Sequence, residues 1–245
     1  MLKITSLYSG INIIKKTGKI AFNSNKPVTD VFVKNNRKSL LPVIEENPNT
    51  KDFTETLNEA FSCLPVKVLN LLKSNNFQIY TADDINSICQ KYNVKTNPNK
   101  EVLGFTHTNF KTQENFFAFS TKLSGNSVKP VVNHEIGHSI CDLMELDSSE
   151  QFNSKLKEDI SNIKLERKLD NLSEEERKLI FSKLFNSSYV KNSKNEIIAD
   201  LIAWKLGQGC YGSDLSLNKP NPELMIFLFP KTYHDINKFK LFKME

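Results

Sequence analysis

The chain has 245 residues, 39% of them hydrophobic and 25% charged, which is enough to bury a sizeable core without disulfides or a structural metal. Its net charge of +5 comes from lysines spread along the whole length, with no dense basic block interleaved with aromatics, so no nucleic-acid partner is expected. The four cysteines, Cys63, Cys89, Cys141 and Cys210, form no C-x-x-C pair, which argues against a zinc ribbon or a thioredoxin-type motif and leaves reduced thiols as the expectation.

The opening "MLKITSLYSGINIIKKTGKIAF" lacks the apolar core and small-residue cleavage site of a secretory signal, and no later stretch approaches the roughly 18 apolar residues of a membrane span. The expectation is a soluble chain, cytoplasmic or exported by another route, and taken as a monomer. Residues 10–22 alternate apolar and polar residues about a Lys-Thr-Gly turn and read as a hairpin. The following Asn-, Lys- and Pro-rich stretch runs to about Lys51, so residues 1–50 are read as an appendage or linker and 51–245 as the main domain. Leu57, Phe61, Leu64, Val68 and Leu71 recur at helical spacing and predict a helix that breaks or restarts near Pro65. "FQIYTA" predicts a short buried strand, and "DDINSICQKYN" a short helix with an acidic start. "EVLGFTHTNFKTQENFFAFSTKL" predicts two strands joined by a polar turn, the second carrying Phe116, Phe117 and Phe119.

Ile136, Ile140 and Leu143, at i, i+4 and i+7, predict a helix across residues 131–146. Two charged helical patterns follow, with capping-box spacing at Ser148/Gln151 and at Ser173/Glu176; they read as surface helices without chemistry. A last helix, "KNEIIADLIAWKLGQG", ends at glycine, and "PELMIFLFPKTYHDINKFKLF" closes the chain. The order of elements is that of an α+β protein.

The chemistry lies in "HEIGH". His134-Glu135-Ile136-Gly137-His138 matches H-E-x-x-H, in which histidines one helical turn apart face the same way and can grip one zinc ion, with Glu135 beside the open coordination position. Two surface histidines on a helix are the plain alternative. A catalytic zinc takes three protein ligands, so a third must lie elsewhere. The metzincin pattern would need a glycine and a histidine where Cys141 and Met144 stand, and it fails. "NEIIAD" offers Glu196 as ligand, with Asp200 one turn on to orient an imidazole N–H. Cys141 lies near the same stripe but reads as a core thiol, and His107 and His234 read as structural.

The pairing of "HEIGH" with "NEIIAD" resembles the gluzincin metallopeptidases, and its surroundings resemble the lethal-factor-like family, which includes the proline-proline endopeptidases. The likeness covers about residues 54–240, including the closing "PKTYHDINKF". It implies a zincin-like fold, with a small mixed sheet whose edge strand packs on the H-E-x-x-H helix and a mainly helical C-terminal lobe. It also implies one Zn2+ per chain and endopeptidase activity, with Glu135 as general base. Tyr189, seven residues before Glu196, takes the place of a tyrosine that faces the metal and would stabilise the oxyanion. A peptide or protein substrate would lie extended along an edge strand, expected near Phe116 to Ser120, and family members often prefer proline or hydrophobic residues around the cut. The distance from His138 to Glu196, 196 − 138 = 58 residues, is long for the family and reads as an insertion of charged helices. A catalytically silent peptide-binding protein is the alternative; a structural zinc site is a poorer one, because such sites close all four positions, usually with cysteines.

Overall fold

The computed structural model describes residues 41–45, 51–92, 102–164, 173–174, 194–207 and 227–242. The protein is α+β, with a small four-stranded sheet and helices making up most of the rest. The strands are β1 (Val43–Glu45), β2 (Gln78–Ala82), β3 (Gly104–His107) and β4 (Phe116–Ser120), in the order β1-β2-β4-β3. β1, β2 and β4 are parallel, and β3 runs antiparallel to β4.

Parallel neighbours cannot be joined by a tight turn, so the chain crosses over between them. Helices α1 (Lys51–Ser62) and α2 (Val66–Ser74) connect β1 to β2. The break between them falls at Pro65, whose φ of −55° and ψ of 138° hold it out of the helix. The short helix α3 (Asn86–Lys91) follows β2, its start tied by Asp84 Oδ1, which accepts a bond from Asn86 N at 2.9 Å.

Alternation along the strands sorts two cores. Phe117, Phe119 and Ile79 join Leu57, Phe61, Val68 and Leu72 on one face, where the rings of Phe77 and Phe117 stack at 4.8 Å. Phe116, Ala118, Tyr80 and Phe105 face the other way, onto Ile85, Ile88 and Cys89.

The first core continues into α4 (Val128–Leu143), the helix carrying "HEIGH", which is buried on nearly every side. β3, α1 and, most extensively, α6 (Lys194–Lys205) pack around it. Beyond α6 lie α5 (Glu150–Lys164) and α7 (Pro230–Lys238), packed against each other.

Three expectations change. Phe116–Ser120 is no edge: β4 sits between β2 and β3, because its largely apolar run buries both faces, and among the described residues the edge on that side is β3. β1 lies in the stretch read as an appendage, yet it pairs with β2 and Leu41 is 1% exposed, so the sheet unit reaches back at least to Leu41. The charged α5 is not a plain surface helix, since Phe152, Leu156 and Ile163 are buried, and its cap is Ser149 rather than Ser148: Ser149 Oγ accepts from Phe152 N at 3.4 Å. The 10–22 hairpin, Tyr189, Cys210 and Glu176 of the Ser173/Glu176 capping pair lie outside the described residues. No described helix is long and apolar enough to cross a membrane.

Asp159 is the polar anchor of the α5–α7 pair. It is fully buried, and its Oδ2 accepts bonds from Thr232 N at 2.9 Å and Thr232 Oγ1 at 2.8 Å, in the first turn of α7. Ion pairs Lys155–Asp235 and Lys231–Glu158 flank it. Asp159→Ala leaves these buried donors without an acceptor and is expected to cost about 2 kcal/mol. That corresponds to a melting temperature lower by roughly 4–8 °C in a chain of this size, read by circular dichroism. An unchanged melting curve would show that the tie contributes nothing.

Candidate metal centre

Along α4, residues 134 and 138 lie one turn apart, so their rings share a face; the ring centroids are 4.8 Å apart. Helix α6 crosses the same face and brings in Glu196 and, one turn later, Asp200. This crossing is close because of Gly137. A Cβ placed there would lie 2.2 Å from the carbonyl oxygen of Ala199 and 2.8 Å from its Cα, so the α6 backbone rests directly on the glycine. A mid-helix glycine costs up to about 1 kcal/mol against alanine, and here the cost is offset by the approach of the two helices.

His134 Nε2 lies 3.1 Å from Glu196 Oε2 and 3.2 Å from His138 Nε2, and His138 Nε2 lies 3.5 Å from Glu196 Oε2. On the far side of the ring, His134 Nδ1 is 3.3 Å from Asp200 Oδ1. If Nδ1–H donates to Asp200, Nε2 presents its lone pair towards Glu196 Oε2 and His138 Nε2. A proton on His138 Nε2, or a cation among the three atoms, satisfies this arrangement.

Burial adds to the electrostatic demand of the cluster. Glu135, Glu196 and Asp200 are 1%, 2% and 0% exposed, and no lysine or arginine is buried among the described residues. Buried carboxylates are costly unless paired. In the protein without metal, a proton serves: burial alone would lower His134, but hydrogen bonds and charge from Asp200 and Glu196 outweigh it and raise its pKa to about 10. Burial alone would raise Glu196, yet the two imidazoles pull it down.

A zinc ion fits the same place. With ligand distances of about 2.0–2.2 Å at the tetrahedral angle, donor atoms should lie roughly 3.3 Å apart, and the three separations here bracket that value. Among the described residues, His134, His138 and Glu196 form a triad whose donors all lie within 4.8 Å of one another.

Glu135 reaches β3 while staying within the electrostatic influence of His134, His138 and Glu196. Its carboxyl is buried and lifted above the ordinary carboxylate range by desolvation, against the pull of His138 and His134. Thr106 Oγ1 lies 2.7 Å from Glu135 Oε2 and 2.9 Å from its main-chain oxygen.

The structure thus brings together His134, Glu135, His138, Glu196 and Asp200. It leaves Cys141 buried outside the triad, with its thiol raised by desolvation. His107 stacks on Phe116 in the second core, where burial lowers its pKa, and His234 is exposed on α7. Sequence reasoning missed Gly137 and Thr106. The first had a signal, a glycine inside an otherwise sound helix pattern; the second, one threonine in a strand, had none. No protein-family model matches the chain, and no curated protein matches it either.

Proposed function

We propose that this chain is a zinc-dependent endopeptidase of the lethal-factor-like gluzincin type, on a zincin-like fold. The observation that carries the reading is the buried convergence of two imidazoles and a carboxylate at tetrahedral donor spacing, with Asp200 behind one of the imidazoles.

Zinc held by His134, His138 and Glu196 would make a water nucleophilic near neutral pH and polarise the scissile carbonyl. Asp200 holds the His134 ring by Nδ1, so that Nε2 keeps its lone pair for the centre. Glu135 takes a proton from the attacking water and passes it to the leaving amine nitrogen. Its raised proton affinity suits a group that must first accept and then release at neutral pH. Tyr189 would donate to the oxyanion, worth roughly 2–4 kcal/mol when well placed, and this role rests on the resemblance alone.

The edge strand that supports substrate binding is β3, in place of Phe116–Ser120. Ser120 N donates to Leu103 O, and the register pairs Phe105 with Ala118 and His107 with Phe116. In an antiparallel ladder, alternate residues exchange bonds, so Gly104 and Thr106 turn their N–H and C=O groups away from β4. An extended peptide adding to these groups would lie beside Glu135.

The test joins metal analysis to digestion of a diverse peptide library read by mass spectrometry. About one zinc per chain is expected, with internal cleavage that 1,10-phenanthroline abolishes and added zinc restores. Cleavage untouched by the chelator would overturn the metal mechanism. Zinc without any cut would favour the silent peptide-binding protein.

A further inference from the structure

We infer that Thr106 is the positioning residue for Glu135: its hydroxyl holds Oε2 and leaves Oε1 as the oxygen that receives the proton. The inference rests on the peptidase reading for its consequence in turnover, and on geometry for its substance.

Two neighbouring inward positions of β3 are shaped around one side chain. Gly104 and Thr106 share the face of the strand that looks onto α4. At Gly104 a Cβ would lie 3.1 Å from both Glu135 Cγ and Glu135 Oε1, and 2.6 Å from Val131 Cγ1. The missing side chain is the room in which the Glu135 stem and Oε1 lie. One step along the same face, Thr106 Oγ1 reaches Oε2 at 2.7 Å.

The hydroxyl has one proton and two acceptors within reach, the Glu135 main-chain oxygen being the other. An ionised carboxylate is the stronger acceptor, so the proton goes to Oε2. With Oε2 engaged, proton transfer from the attacking water forms the new O–H bond at Oε1, and the same proton later moves from Oε1 to the amine nitrogen as the C–N bond breaks.

The strand that clamps the base is also the strand whose open edge would receive the peptide. Thr106 offers its side chain to Glu135 and turns its main-chain groups to that edge. A peptide that pairs with β3 is therefore registered against the carboxylate by one residue. Neither position of β3 would be recognised as functional by its residue type, since threonine is an ordinary strand former.

Thr106→Val keeps the branched shape and removes the hydroxyl, whereas Thr106→Ser keeps the hydroxyl and removes a methyl. Both variants are compared with the wild type for zinc content, for kcat and KM on a peptide taken from the library digest, and by crystallography of the zinc-loaded protein. Thr106→Val should hold one zinc per chain, keep KM within about twofold and lose kcat by about 10- to 100-fold, the range for removal of an orienting partner. Its Glu135 carboxyl should be rotated relative to the wild type. Thr106→Ser should recover most of the kcat and the wild-type rotamer. A wild-type kcat in Thr106→Val, equal losses in both variants, or an unmoved Glu135 carboxyl in Thr106→Val would overturn the assignment. If the wild type cuts no peptide, the peptidase reading fails by itself, and the Glu135 orientation in the crystals still decides the role of Thr106.

Discussion

Glu135→Gln should bind zinc as the wild type does and cleave peptide more slowly by about 10²- to 10⁴-fold, the range for loss of a general acid–base group. The amide matches the carboxylate in shape and still accepts the Thr106 hydroxyl bond, but it cannot take up and return a proton. The stability change has a definite sign. Burial raises the Glu135 pKa in the folded protein above its unfolded value, so at neutral pH the ionised group works against folding, and that penalty fades as the pH falls. Gln removes a buried charge, and the melting temperature at pH 7 should be no lower than that of the wild type. Metal analysis, library digestion and a melting curve check the three parts separately. Peptidase activity surviving in this variant would rule out Glu135 as the base.

Gly137→Ala should damage the centre without touching a donor atom. An added Cβ meets Ala199 backbone at 2.2–2.8 Å, against comfortable separations of about 3.5 Å or more, so α4 and α6 must part by on the order of 1 Å. Overpacking of this kind costs about 1–3 kcal/mol, which lowers the melting temperature by roughly 2–12 °C. Metal binding would suffer more, because His134 and His138 stand on one helix and Glu196 on the other. Zinc affinity should fall at least about tenfold, measured by competition with a chromophoric chelator. Alanine is the better helix former, so a loss in both quantities would separate helix contact from helix propensity. Wild-type affinity and stability in Gly137→Ala would mean that the helices have slack at the crossing.

These two variants mark different kinds of legibility. The neighbourhood of His134, Glu135 and His138 was readable because an α-helix repeats locally, and i, i+4 spacing predicts a shared face. Glu196 and Asp200 were readable by the same local rule once a ligand helix was sought. The two-strand reading of residues 101–123 also follows from local pattern, and β3 and β4 pair as that pattern predicts. Which of them lies at an edge does not follow. A run such as "FFAFS" says that both faces are buried, and burial on both faces is equally a property of an internal strand. The place of β1 was missed for a related reason: the apolar run "LLPVI" is short, broken by Pro42 and set in an Asn-, Lys- and Pro-rich stretch, and only pairing with β2 reveals its strand.

By itself, the sequence determined the α+β class, the described helices and strands other than β1 and α7, and the set of side chains able to hold a metal, because these follow from hydrophobic period and residue chemistry within a few turns of chain. Only the tertiary structure decided that α6 lies on Gly137, that Thr106 meets Glu135 and that Asp159 anchors α7. Each of those contacts joins segments far apart in the chain, and the packing that selects them depends on the shapes of all the elements at once.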